Sequence, residues 1–440
     1  MRDIAFSVFF VYFLITAFRV PFIGVALWVW TSLIVPTSLI YGFATSLRAN
    51  LTIALATMLS FIFNKSPKVS LRSALFFLVV FYAFWTLVTS LTTISVPSIV
   101  WEEWIKFMKI FLLFLFVTLI VEKRLHIDTL CWAIVLSVGF HSTVEALKFI
   151  NSGGGHNVRG PIASLLTDRN HFSVAVAMML PIAAYLVAQA KKMQFKVVLI
   201  GVIFLGVLAI IGTSSRGGFV GLAILGIVWG LRTKRKFLNI TLMIIIAGSA
   251  LSLAPSDWRA RMSTIESAGE DSSFMGRVVS WKQSTLIALD NPFTGGGFYA
   301  VQDWEVWQHY AIEFHKLDFI TSPEAADTSY AVAAHSVYFQ VLGDHGFVGL
   351  ILFLLMLYFS YRTLMSLYKD KSNEDWLRTL SQMLSYSLLV YGIIGSTVGM
   401  ANFDLLYAIF GLVIVLQRVA KSAGKELPRE RYFFSNWSSP

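Results

Sequence analysis

Long apolar runs recur along almost the whole chain, and short loops rich in lysine and arginine separate many of them. Each run approaches the ~20 residues that an α-helix needs to cross a bilayer. Because lipid offers no hydrogen-bond partners to the backbone, runs of this length fold as helices rather than as open strands. The hydrophobic share of 56% also exceeds the roughly 45–50% of soluble domains. We therefore predict an all-α polytopic membrane protein.

The basic residues predict how the spans are oriented. If the spans alternate, every cluster of lysine and arginine falls on one side, and an excess of these residues marks cytoplasmic loops. We predict about twelve transmembrane helices, of which two, one of them broken near Arg19 and Pro21, lie in residues 1–63. The other spans are predicted at 72–93, 105–121, 127–149, 171–190, 196–213, 218–231, 237–254, 346–368, 379–398 and 402–419.

One long segment, residues 255–345, interrupts the series of spans and is predicted to be a periplasmic loop in which acidic residues outnumber basic ones. It contains short helices at 275–289 and 300–316, separated by the turn NPFTGGG, because proline, asparagine and glycine favour turns. We accordingly divide the chain into a membrane region at 1–254, this loop, and a second membrane region with a basic cytoplasmic tail at 346–440.

Composition excludes several classes of protein. The formal charge of +10 lies mostly in short loops between spans, so it indicates topology rather than a nucleic-acid-binding face. The single cysteine, Cys131, lies in an apolar run, which excludes a disulfide framework. The N-terminus lacks the small-residue cleavage site of a secretory signal, so we expect its first apolar segment to be retained. The motifs HExxH and GxSxG are absent, and we expect no metal, no cofactor and no serine nucleophile.

Three predicted external segments carry arginine, which is scarce on that side of a membrane protein. Arg216 lies in TSSRGGFVGL, where the adjacent glycines let a bulky anion approach closely. Arg277 lies in FMGRVVSW, and Arg159 follows the run SGGGHN. The planar guanidinium suits the oxygens of a diphosphate. The alternatives are a snorkelling arginine at 216 and, for Arg277, an ion pair with Asp271 or Asp290.

A polar segment leads without a linker into the span predicted after it, and it carries His335, Tyr338 and Gln340. Histidine exchanges a proton near neutral pH, so His335 is a candidate acid–base residue at the membrane surface. The alternative is a histidine that only caps a helix. His141 and Glu145 lie four residues apart and share a helix face, and we expect an internal polar pair or the wall of a hydrophilic cavity.

Four motifs surround the long loop in a fixed order: TDRNHFSVAVAMMLPIA, TSSRGGFVGL, GRVVSW with DNPFTGGGFY, and AAHSVYFQVLGDHGFVGL. Through them, roughly residues 160–420 resemble the bacterial O-antigen ligase superfamily, which includes O-antigen polymerases and protein O-oligosaccharyltransferases. The N-terminal MRDIAF and PFIGVALWVWTSLIVPTSLIYGFA are similar to exosortase-associated O-glycosylation ligases. Two positions depart from the pattern, because many relatives have proline where Arg169 stands and asparagine where Ser336 stands.

The resemblance implies transfer of a glycan from undecaprenyl diphosphate to an acceptor on the periplasmic face of the bacterial inner membrane. It implies that His335 is catalytic, that Arg216 and Arg277 bind the diphosphate, and that no metal takes part. Lipid A–core, another lipid-linked glycan and a protein are the candidate acceptors. The rival of a different class is a transporter of lipid-linked glycans. A transporter is expected to have charged midplane residues and symmetric halves, whereas the polar residues here gather around one asymmetric loop.

Overall fold

The computed structural model describes residues 2–64, 69–232, 272–317 and 331–423, and within these ranges it is helical without a β-strand. The prediction of an all-α protein is therefore confirmed for the described residues. The helices are α1 (Arg2–Arg19), α2 (Pro21–Ile34), α3 (Ala49–Phe63), α4 (Ala74–Leu91), α5 (Pro97–Ile120), α6 (Arg124–Asn151), α7 (Arg169–Gln189), α8 (Met193–Gly212), α9 (Arg216–Arg232), α10 (Ser272–Asp290), α11 (Trp304–Ala311), α12 (Val337–Lys369), α13 (Asp375–Ile394) and α14 (Asp404–Ala423).

Six of these helices are long and apolar enough to cross a membrane, namely α4, α6, α7, α8, α12 and α14. Helices α2, α3 and α9 are apolar but shorter. Helix α5 carries Glu102, Glu103, Lys106 and Lys109 in its first half, which shortens its apolar part. The chain is thus a multi-pass helical membrane protein. The total of twelve spans stays a prediction, and the span predicted at 237–254 lies outside the described residues.

The first 63 residues form three packed helices, α1 to α3, where the sequence predicted two spans. Helix α1 ends at Arg19 and α2 begins at Pro21, because proline cannot continue the hydrogen bonding of α1 but is favoured in a first turn. The predicted break therefore occurs. Helices α2 and α3 have only 14 and 15 residues, and the number of spans in this region stays a prediction.

Helix α7 lies at the centre of the bundle. It packs against α6, α8, α9 and α13, and 78% of its most apolar stretch is buried inside the protein. A helix that is apolar on all sides is buried in this way. Its N-terminal turn, which begins at Arg169, is only half-buried.

Helix α12 begins at Val337 and is interrupted at Gly346, whose φ of 67° and ψ of −170° are not helical. The glycine turn that follows α10 fills this break. The N–H groups of Gly296 and Gly297 donate to the carbonyls of Gly343 and Asp344 at 2.8 and 2.9 Å. These bonds satisfy carbonyls that the interrupted helix leaves unpaired. The turn predicted between the two loop helices is thus the element that stabilises the break.

The described part of the predicted loop forms a small core of its own. Helix α10 agrees with the predicted helix at 275–289, and the stretch predicted at 300–316 forms α11 flanked by short 3₁₀ turns. Trp307, which is fully buried, packs with Val279 and Phe314 between these elements. Helix α10 also packs against α12. The loop core therefore holds the N-terminal end of α12 in place.

Candidate functional site

His335 lies immediately before α12 in the left-handed region, with φ of 43°. This conformation costs a non-glycine residue about 1–3 kcal/mol. The N-cap position of α12 belongs to Ser336, and its side chain makes no capping hydrogen bond. The alternative that His335 is only a helix cap is therefore wrong. The backbone around it is held from α10, since Ser280 Oγ donates to the Ala333 carbonyl at 3.0 Å and Trp281 Nε1 to the Ala334 carbonyl at 2.8 Å.

Three charged or titratable groups surround the His335 imidazole. Burial lowers the pKa of His335 below its ordinary value, the positive charges of Arg277 and His171 lower it further, and the Asp168 carboxylate opposes them. Arg277 comes from α10, while Asp168 and His171 come from the start of α7. Arg277 therefore lies close enough to His335 to act on its charge, and the functional roles of the two residues stay predictions. The imidazole is held in its neutral form, in which it can accept a proton.

The segment 395–403, which joins α13 to α14, lies against His335. A side-chain carbon on Gly399 would lie 3.6 Å from the His335 backbone nitrogen and 3.5 Å from Gln340 Oε1. Gln340 Oε1 also accepts the N–H of Ala401 at 3.2 Å, and the Tyr338 hydroxyl donates to the Gly392 carbonyl at 2.6 Å. From the first turn of α12, Gln340 therefore holds the segment in place and Tyr338 holds the end of α13 that precedes it.

Arg216 approaches the same segment from the turn between α8 and α9. It is half-buried and is the first residue of α9. A side-chain carbon on Gly217 would lie 2.7 Å from Thr397 Oγ1. The Gly218 N–H donates to Ser215 Oγ at 3.2 Å, and Ser215 Oγ accepts from Ser173 Oγ of α7, also at 3.2 Å. The 395–403 segment thus contacts both the α9 turn and His335.

The described contacts do not connect the third predicted arginine, Arg159, with His335. The backbone on each side is anchored, because the Val158 N–H donates to the Gly212 carbonyl at 3.2 Å and the Gly160 N–H to the Leu166 carbonyl at 3.1 Å. These bonds bring the loop to the end of α8, only a few residues before Arg216. The Arg159 side chain itself is exposed, and none of the described contacts joins it to His335.

His141 and Glu145 do not form the expected pair. His141 is buried, and its Nε2 lies 2.7 Å from the Ile34 carbonyl at the end of α2. Glu145 binds Lys148 Nζ at 2.6 Å and His156 Nε2 at 2.7 Å. A spacing of four residues puts both side chains on one helix face but does not choose their partners. None of the described contacts joins either residue to His335, and their supporting role at this site stays a prediction.

The geometry invites comparison with known proteins. Residues 201–354 match the model of a family described as O-antigen ligase. The match includes Arg216, Arg277 and His335 and agrees with the resemblance seen in the motifs. Residues 1–191 match a family of unknown function, DUF5935, and no curated protein matches the chain.

The match to the O-antigen ligase family implies glycosyltransferase activity of the ligase or polymerase type, with a lipid-linked glycan and an acceptor as substrates. The site contains the neutral imidazole of His335 and the guanidinium of Arg277 from α10. A second guanidinium, that of Arg216, belongs to the neighbouring α9 turn. Among the described residues, no group of three histidine, cysteine, aspartate or glutamate side chains has an arrangement suited to a metal ion. The local chemistry is therefore that of a base beside cations.

Two residues of this site, Asp168 and His171, were missed from the sequence. His171 was set aside because it shows no metal-ligand spacing, and Asp168 was not considered. A signal was present, since both lie in the motif TDRNHF and an aspartate three residues before a histidine at a helix start is a typical N-cap. Their approach to His335 depends on how α7 packs against the 395–403 segment, which local spacing does not reveal.

Proposed function

We propose that the protein transfers a glycan from undecaprenyl diphosphate to the lipid A–core of lipopolysaccharide, at the periplasmic face of the bacterial inner membrane. The observation that carries the proposal is the position of His335, half-buried and close to Arg277 at the N-terminal end of α12. The O-antigen ligase family supports the reaction class. A site at the end of a membrane helix suits a donor whose glycan lies in water and whose polyprenyl chain lies in lipid.

The arginines act on the leaving group. When the bond between the sugar C1 and the diphosphate oxygen breaks, negative charge develops on undecaprenyl diphosphate. A guanidinium stabilises that charge more strongly than the charge of the ground state, which lowers the barrier. Arg277, beside His335, and Arg216, on the α9 turn, are the residues proposed to bind the diphosphate. Arg159 is a weaker third candidate because its side chain is exposed.

His335 acts on the acceptor. Its neutral imidazole takes the proton of the acceptor hydroxyl as the oxygen forms a bond to C1 and the diphosphate departs with its electron pair. Direct attack on the face opposite the leaving group inverts the anomeric centre. A positioned base contributes roughly 10²–10⁴-fold to the rate. No divalent metal enters this scheme, and activity is expected to survive chelation.

A reconstituted transfer assay tests the proposal. The full chain in nanodiscs is supplied with undecaprenyl-diphosphate-linked glycan and, in separate reactions, with lipid A–core, a second lipid-linked glycan or an acceptor peptide. We expect a covalent glycan–lipid A–core product and free undecaprenyl diphosphate. A product only with the second glycan or the peptide would reassign the acceptor within the same chemistry. Movement of intact donor across a bilayer without any covalent product would overturn the proposal in favour of a transporter.

A further inference from the structure

Asp168 is fixed at the N-terminus of α7. Its Oδ1 accepts the backbone N–H groups of Asn170 at 2.8 Å and His171 at 3.1 Å. Burial raises the pKa of Asp168, but these bonds and the positive charges of His171 and His335 lower it by more, so the net pKa lies below its ordinary value. The carboxylate is therefore ionised and has a defined position at neutral pH.

His171 links this carboxylate to the 395–403 segment. Its Nδ1 lies 3.0 Å from the Leu165 carbonyl and 3.9 Å from Asp168 Oδ1, and its ring also interacts with the Gly399 carbonyl. Gly399 in turn lies against the His335 backbone. A continuous path of contacts thus runs from Asp168 through His171 and Gly399 to His335.

The charged groups near His335 show which positive charge Asp168 offsets. Helix α10 contributes Arg277, and α7 contributes His171 and Asp168. The segment 395–403, GSTVGMANF, has no charged side chain. On α12 itself, the titratable Tyr338 donates its hydroxyl proton to the Gly392 carbonyl. Among the described groups that act on His335, Asp168 is therefore the anion, and it faces cationic neighbours.

We propose that Asp168 is a positioning residue which stabilises the positive charge that His335 acquires when it takes the acceptor proton. This inference rests on the proposed function, because it requires His335 to be the base. Arg277 serves the departing diphosphate but opposes a second positive charge nearby. A fixed carboxylate near the imidazole offsets that repulsion as the proton is transferred. His171 contacts both the carboxylate and the Gly399 carbonyl and so fixes their relative positions.

Asp168→Asn tests the inference, because asparagine caps a helix about as well as aspartate and removes only the charge. Asp303→Asn is the matched control, since Asp303 caps α11 through the N–H groups of Glu305 and Val306 at 2.9 and 3.3 Å. We expect Asp168→Asn to lower single-turnover transfer about tenfold or more, a part of what a positioned base contributes. Donor binding should be unchanged or tighter, and Asp303→Asn should transfer at the wild-type rate.

Histidine NMR on the full chain provides a readout that does not depend on turnover. With the eight histidines isotopically labelled, the His335 resonance is identified by its loss in His335→Ala. We expect its titration midpoint to move to lower pH in Asp168→Asn and to stay in place in Asp303→Asn. An unchanged midpoint together with wild-type turnover in Asp168→Asn would overturn the inference. If the midpoint moves but His335→Ala still transfers glycan, the proposed function fails while the charge coupling is real.

Discussion

At the scale of single residues, His335 combines a strained backbone with a functional side chain. Its φ of 43° is a conformation that glycine adopts freely and other residues adopt at a cost. Strain of this kind persists where the surroundings determine the conformation. Here the carbonyls of Ala333 and Ala334 are held by α10, and the residue that follows caps α12. The strained backbone agrees with the proposed role of the imidazole.

Replacing His335 by glycine and by alanine separates these two contributions. Both variants should lose transfer, because both lack the base. His335→Gly should be more stable than His335→Ala by about 1–2 kcal/mol, since only alanine retains the left-handed penalty. Thermal unfolding of the two purified variants measures the difference. Equal stability of the two would show that the backbone at 335 is not strained in the folded protein.

The charge of Arg277 predicts a shift in the pH profile. Burial, Arg277 and His171 lower the pKa of His335, so turnover should decline only below the ordinary histidine value of about 6.5. Arg277→Gln removes a neighbouring positive charge and should raise the pKa of His335, which moves the acid limb of single-turnover rate at saturating donor to higher pH. A limb that moves to lower pH, or does not move, would contradict the placement of Arg277 beside the imidazole.

At the scale of elements, the break in α12 depends on two glycines. A side-chain carbon on Gly295, which has φ of 62°, would lie 2.5 Å from the Gly346 nitrogen, and one on Gly346 would lie 2.5 Å from the Phe293 carbonyl oxygen. These clashes involve backbone, which cannot move aside as a flexible side chain can. The contact between the glycine turn and α12 is thus too close for any other residue.

We expect Gly346→Ala and Gly295→Ala each to destabilise the protein by at least about 1–3 kcal/mol. Gly201→Ala is the control, because it lies inside α8 with no atom within 4 Å of the added carbon. There alanine should be neutral or stabilising by about 0.5–1 kcal/mol. Thermal unfolding in one detergent compares the three variants. A Gly346→Ala protein as stable as Gly201→Ala would show that the turn does not fill the break.

Sequence reasoning found the apolar helices, but not the side-chain partners that come from distant parts of the chain. Helix positions follow from local apolar patterning. The pairing of His141 with the Ile34 carbonyl, and the approach of Asp168 to His335, depend on which helices pack together. No local spacing encodes that choice. The break at Pro21 in the N-terminal region follows from local sequence, whereas the number of spans that the three helices form stays a prediction.

At the scale of the whole molecule, the side of the membrane on which α10 and α11 lie is a prediction from charge. Glu305 on α11 and Lys371 after α12 are both exposed. Cysteines placed at these positions, in a chain whose single native Cys131 is buried, should react differently with a membrane-impermeant maleimide. We expect Glu305→Cys to be labelled from the periplasm and Lys371→Cys to be protected. The reverse pattern would invert the topology.

The central claim is that His335 performs the chemistry while the arginines bind the donor, and one experiment separates the two. Donor affinity and single-turnover transfer are measured on the same nanodisc preparations of wild type, His335→Ala and Arg216→Ala. We predict that His335→Ala binds donor normally and loses about 10²–10⁴-fold in rate. Arg216→Ala should bind donor more weakly by about 1.5–3 kcal/mol, the worth of hydrogen bonds to a charged group. A folded His335→Ala protein that binds donor and transfers glycan at the wild-type rate would contradict the account.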